Sequence, residues 1–200
     1  MIRKSMGTVL TVAVAVFLAA PAVAQEGHTE MTPEQQAEMD AHMKAGTPGA
    51  EHLALASTTG NYAVVVQSWH EPDGPATEET GTTVRTMELD GRVRIEKFSG
   101  TMMGMPFSGH GMMGFENVTG KYWSTWTDSM STGMMVSEGT CDAKKSCTFT
   151  GSWNDPITKK PVTARMTTRW PSPTTEIFEM YAPGKDGKEM KMMQLTYTKK

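Results

Sequence analysis

The chain is short of the residues that most cores are built from. Among its 200 residues are six Phe, four Tyr and two Cys, and Leu and Ile are also sparse. Neither sign of charge dominates: 19 Lys and Arg stand against 22 Asp and Glu, for a net charge of −3. Scattered charge of this kind leaves no basic patch for nucleic acid or for an anionic lipid surface. No interior stretch has the length and period of a long helix, which argues against alternating βαβ units and a parallel sheet. Nucleophile and metalloprotease signatures are missing as well: no histidine sits in a G-x-S-x-G or H-E-x-x-H setting. Ser108-Gly109-His110 places a hydroxyl and an imidazole two apart, a spacing that seldom makes a nucleophile–base pair on a strand. No catalytic residue is assigned, and the chain is not expected to be an enzyme.

The first 24 residues read as a secretory signal peptide. Arg3 and Lys4 give a positive start, Val9–Ala20 is apolar apart from Thr11, and Ala22-Val23-Ala24 forms an A-x-A cleavage site before Gln25. A membrane-spanning helix needs about 20 apolar residues, more than this run supplies, so no transmembrane span is expected. Cleavage after Ala24 would leave a periplasmic or secreted chain. In such an oxidising compartment Cys141 and Cys147 are expected to close a disulfide. C-x5-C is not a zinc spacing.

What the chain has in quantity is methionine, 19 residues of it, a flexible thioether suited to filling irregular gaps. Gln25–Gly49 is a polar lead-in with one short helix. Thr32 is its N-cap, Pro33 takes the first helical position and Gln35 completes a capping box. Beyond this, residues 50–200 form one β domain. Short runs rich in Val, Thr, Met and aromatics alternate with turn signals every 8–12 residues or so. The expected strands are Tyr62–Trp69, Thr82–Leu89, Arg92–Ser99, Met105–Phe115, Lys121–Ser129, Met134–Asp142, Ser146–Asn154, Pro161–Trp170, Thr174–Ala182 and Glu189–Thr198. Asp90-Gly91 is read as a two-residue hairpin turn, in which both central residues take positive φ. Asn117–Gly120, which contains an Asn-x-Thr sequon, is read as another turn. About ten short antiparallel strands in an up-and-down meander predict an all-β barrel, closed so that no edge is exposed, with a two-sheet sandwich as the alternative.

Several segments carry a family pattern in order: Leu89-Asp90-Gly91-Arg92, Gly104-Met105-Pro106-Phe107-Ser108-Gly109, Gly114-Phe115-Glu116-Asn117 and Trp126-Thr127-Asp128-Ser129-Met130. From about Pro48 to Tyr197 the chain resembles the bacterial domain of unknown function 1579 family. Phe115-Glu116 replaces a more usual Tyr-Asp, and Tyr62 a frequent Trp. The resemblance implies a calycin-like barrel, similar in outline to lipocalins and to the haem-binding nitrobindins. It implies no activity.

A barrel of this strand number has room for an internal cavity. The expected partner is a small apolar molecule. Its wall is expected from Met105, Phe107, Met112, Trp123 or Trp126, and Met166, with Asp128 as a polar anchor at the bottom and Arg165 or Arg169 as its counter-charge. No cofactor is required. Two alternatives use one. Soft thioethers suit copper(I), with Met103, His110 and Met112 as ligands or the Met39/His42/Met43 helix face. A haem would take its proximal ligand from His52, His70 or His110.

Overall fold

A computed structural model describes residues 31–200; the signal peptide and the start of the lead-in lie outside the described residues. The first helix, α1, runs Pro33–Gly46. Its N-terminus is closed as the capping box requires: Gln35 N–H donates to Thr32 Oγ1 at 3.2 Å, and Thr32 N–H donates to Gln35 Oε1 at 2.9 Å. None of its residues is buried, so the Met39/His42/Met43 face points to solvent. The barrel grips α1 only at its C-terminus. There the Asn117 amide donates to the carbonyls of Ala45 and Thr47 at 2.9 and 2.8 Å, and Arg92 donates to that of Gly46 at 2.8 and 3.1 Å. Asn117 thus satisfies carbonyls that a helix end leaves open.

A second helix, α2 (Ala50–Ala56), falls in the segment assigned above to the barrel. Its start is closed by an unusual acceptor: Gly49 N–H donates to His52 Nδ1 at 3.0 Å. His52 is buried edge-on against Phe115, with ring centroids 6.0 Å apart. Leu55 joins Tyr122, Phe149 and Met166 in one buried cluster. Through these two side chains α2 plugs one end of the barrel.

Ten strands follow: β1 (Gly60–Ser68), β2 (Thr77–Glu88), β3 (Val93–Met102), β4 (Met105–Glu116), β5 (Lys121–Asp128), β6 (Met135–Cys141), β7 (Cys147–Asn154), β8 (Pro161–Ser172), β9 (Thr175–Pro183) and β10 (Glu189–Lys199). Each pairs antiparallel with the next, and β10 closes on β1 with Val66 opposite Leu195. The expected closed up-and-down barrel is what forms, and closure leaves no edge unpaired. Cys141 and Cys147 stand opposite each other on β6 and β7 and are joined by a disulfide.

The tight turn is not where the sequence reading put it. Glu88 pairs with Val93, so Leu89–Arg92 is a four-residue connection, with Leu89, Asp90 and Gly91 all at positive φ. Two-residue turns stand instead at Pro173-Thr174, between the paired residues Ser172 and Thr175, and at Met103-Gly104, between the paired residues Met102 and Met105, with φ of 55° and 73° at the latter. Met103 accepts this conformation because its N–H and that of Gly104 both donate to the Glu79 carboxylate, at 2.9 and 2.8 Å.

Strand parity fixes what faces inward. Tyr62, Val64 and Val66 on β1, Phe98 on β3, Phe107 on β4, and Leu195 and Tyr197 on β10 form the main apolar cluster. The same parity brings charged groups inside: Arg85 on β2, Arg94 and Glu96 on β3, and Glu176 on β9 are all buried.

Candidate functional site

Inside the barrel is a cavity of about 780 Å³. It reaches the surface at the β5–β6 connection, where Met130 and Met134 are about half exposed. Asn154 and Pro156 border the same mouth. From the mouth the walls are apolar: Met102, Phe107, Trp126, Met166, Phe178 and Met193 line them. The opposite end is a polar floor beneath α2. From Met102 at the mouth to Glu96 at the floor, β3 covers six residues, or roughly 20 Å at the rise of a strand.

The floor is a network of Arg85, Glu96, Glu176, Arg94 and Tyr197. Arg85 is its centre, only 3 % exposed. Its Nε donates to Glu96 Oε2 at 2.9 Å, and its Nη1 donates to Glu176 Oε2. The guanidinium carbon lies 4.9 Å from the Tyr62 ring centroid and 4.4 Å from that of Tyr197, so both rings flank the charge. Tyr197 O–H donates to Glu96 Oε1 at 3.2 Å, and Tyr62 O–H to the Thr58 carbonyl at 2.7 Å. Arg94 Nη1 donates to Thr58 Oγ1 at 2.8 Å. Thr58 belongs to the short link between α2 and β1, so the plug and the floor are one unit.

Burial disfavours each of these charges, and partners decide the outcome. Burial works against ionised Arg85, but Glu96 and Glu176 outweigh it and hold its pKa well above the ordinary value. Burial pushes the Glu96 pKa up, yet Arg85 and Arg94 together bring it below the carboxylate norm. For Arg94 burial prevails, with repulsion from Arg85 adding to it, and its pKa is lowered. Tyr197 is pushed well above its usual value, by burial first and then by Glu96. Such a cluster costs desolvation that its own ion pairs barely offset. Perturbed groups gathered in a cavity mark candidate functional sites.

Phe107, Trp126 and Met166 line the cavity. Asp128 borders it too, but at the mouth rather than the bottom. Its carboxylate accepts from Trp126 Nε1 at 3.1 Å and Met130 N–H at 3.0 Å, and among the described residues it has no arginine partner. Two expectations, Trp123 and Arg165, are corrected by parity, and one, Met105, by its position along the strand. Trp123 has the opposite parity to Trp126, and its ring lies over Gly114, outside. Arg165 also faces outward, forked onto Glu189 at 3.0 and 2.8 Å over the Tyr181 ring. Met112 touches the cavity border but is 43 % exposed, on the outward parity of His110. Met105 has inward parity but stands beyond the wall, 50 % exposed next to the β3–β4 turn.

The proposed copper set does not converge. Met103 is in the β3–β4 turn and His110 lies six positions into β4, about 17 Å along the strand from Met105. Of the alternatives for a haem ligand, His52 caps α2, His70 and His110 are exposed, and among the described residues no histidine borders the cavity.

The charged floor was missed by reasoning from sequence. A readable signal existed in Arg94 and Glu96, which alternate with Val93 and Ile95, but period two does not say which set faces inward.

A family described as "Protein of unknown function (DUF1579)" matches residues 47–199. No curated protein matches the chain. Among solved structures, one titled as a redesigned β-barrel is similar over 74 % of this chain and 95 % of its own, at 14 % identity and a TM-score of 0.38.

Proposed function

This chain belongs to the DUF1579 family, and from the interior of its barrel we propose that it binds a small, largely apolar molecule there. The observation that carries this reading is a cavity of about 780 Å³ with thioether and aromatic walls, a polar floor and a mouth at one end. Ligand sites generally combine apolar lining with a few placed polar groups in this range of volumes. A barrel built only for stability would fill its interior with side chains.

The protein acts as a binding protein rather than an enzyme, in an exported compartment. The N-terminal signal pattern and the Cys141–Cys147 disulfide support that location. The test is entry of an uncharged fluorescent probe, N-phenyl-1-naphthylamine, into the purified protein. Ala164 is buried, with inward parity next to Met166. The cavity-filling Met166→Trp should abolish probe binding, while the outward-facing Arg165→Ala should leave it unchanged. Equal binding in both variants would place the probe elsewhere.

A second reading rests on a different observation: Met102, Met130, Met134 and Met135 all border the cavity toward its mouth. Thioethers suit copper(I). A copper(I) titration in which Met130→Leu together with Met134→Leu loses affinity would favour that reading over an apolar ligand.

A further inference from the structure

The polar floor carries one donor group that its neighbours do not use. Arg94 borders the cavity, and its side chain is 8 % exposed. Nη1 is taken by Thr58. Nη2 stands 3.7 Å from Glu96 Oε2, beyond hydrogen-bond reach, and Nε has no partner among the described residues. The Glu96 carboxylate is already engaged: Oε1 accepts from Tyr197 and Oε2 from Arg85. A buried donor without an acceptor is costly, and Nη2, the guanidinium nitrogen that is both unpaired and accessible, is where a ligand can supply one.

The charge count decides what kind of acceptor fits. Arg85 and Arg94 are balanced by Glu96 and Glu176, and the tyrosines of the floor are neutral. An anionic head would add a third negative charge beside two buried carboxylates. A neutral oxygen adds none.

Resting on the proposed ligand cavity, we infer that the ligand enters with an uncharged hydrogen-bond acceptor foremost, a carbonyl oxygen that accepts from Arg94, while its apolar body lies along the methionine and aromatic walls. The ligand class is a long-chain ketone, ester or quinone-like carbonyl compound rather than a fatty acid. Arg85, held by two carboxylates and two rings, is a positioning residue: it fixes Glu96, which in turn leaves Arg94 underpaired.

The experiment is displacement of N-phenyl-1-naphthylamine at pH 7 by three chain-matched probes: 2-tetradecanone, tetradecanoate and tetradecane. A hydrogen bond to a charged donor should favour the ketone over the alkane by about tenfold or more, and the ketone should also exceed the carboxylate. Arg94→Met should bring the ketone down to the level of the alkane measured in the same variant, and Arg94→Lys should recover part of the difference. Circular dichroism of each variant checks folding, and the wild-type series stands without them. A carboxylate that binds tightest, or a ketone and an alkane that bind equally, overturns the carbonyl inference and leaves the cavity reading in place. If the fluorescent probe itself fails to enter, the cavity reading falls and the inference with it.

Discussion

The indole of Trp126 occupies the space that a side chain on Gly109 would fill: a Cβ there would stand 2.2 Å from its Cζ2. The two residues lie on neighbouring inward-facing rows of β4 and β5, and Gly111 stands directly opposite Trp126. The glycines of β4 are what let one indole lie flat against the wall and leave the centre of the barrel open. Gly109→Ala must push the ring into the cavity. It should destabilise the fold by about 1–3 kcal/mol, the usual range for overpacking, and weaken probe binding. Urea denaturation and probe titration read the two effects. Gly114→Ala collides with Trp123 on the outer face and should leave probe binding unchanged.

Glu96 is the carboxylate that both Arg85 and Arg94 approach. Glu96→Gln should cost about 3–5 kcal/mol, because removing one member of a buried pair strands the other charge. The same change leaves the floor with a net positive charge, so any variant protein that remains folded should bind tetradecanoate better relative to 2-tetradecanone than the parent does.

The floor also sets a pH window. The Glu96 pKa is lowered from 4.5 in the folded state, so its contribution is present above 4.5 and is lost as pH falls through the lower folded value. Tyr197 behaves in the opposite sense. Its pKa is raised well above 10.0, so its contribution is full below 10.0 and is lost as pH rises toward the folded value. Stability from urea melts should form a plateau between these limits and fall on both sides. Tyr197→Phe should remove the Tyr197 contribution to the alkaline fall.

Much of the fold is legible in the sequence. Tyr62–Trp69 became Gly60–Ser68 and Lys121–Ser129 became Lys121–Asp128, because alternation and turn residues bound short strands tightly. Helix α2 was not legible: Ala50–Ala56 is two turns long, and its cap is an imidazole accepting from a glycine N–H, a device that no serine or aspartate announces. The Met103-Gly104 turn hid because a methionine at positive φ is unusual, and the Glu79 carboxylate that supports it is 24 residues away. Parity sorted Phe107, Trp126 and Met166 inward only once the register was known. The floor was read past for a simpler reason, that an inward Arg or Glu is costly without a partner. The partners of Arg85 lie 11 and 91 residues away.

The Cys141–Cys147 bridge closes a short loop, six residues in sequence separation. Loop-closure entropy for that length contributes roughly 2 kcal/mol. Cys141→Ser with Cys147→Ser should lose about that much in urea melts and leave probe affinity unchanged, since the bridge does not border the cavity.

Asn117 fixes α1 from the barrel side. Asn117→Ala should speed proteolytic removal of residues 33–46 without moving the barrel's denaturation midpoint. A midpoint that falls with it would mean that α1 stabilises the barrel.

Native mass spectrometry of the protein purified from the producing cell tests the central claim most directly. A retained small-molecule mass that organic extraction removes, and that Met166→Trp prevents from being retained, is the result predicted. A bare protein mass, together with no uptake of N-phenyl-1-naphthylamine by the extracted protein, would contradict it.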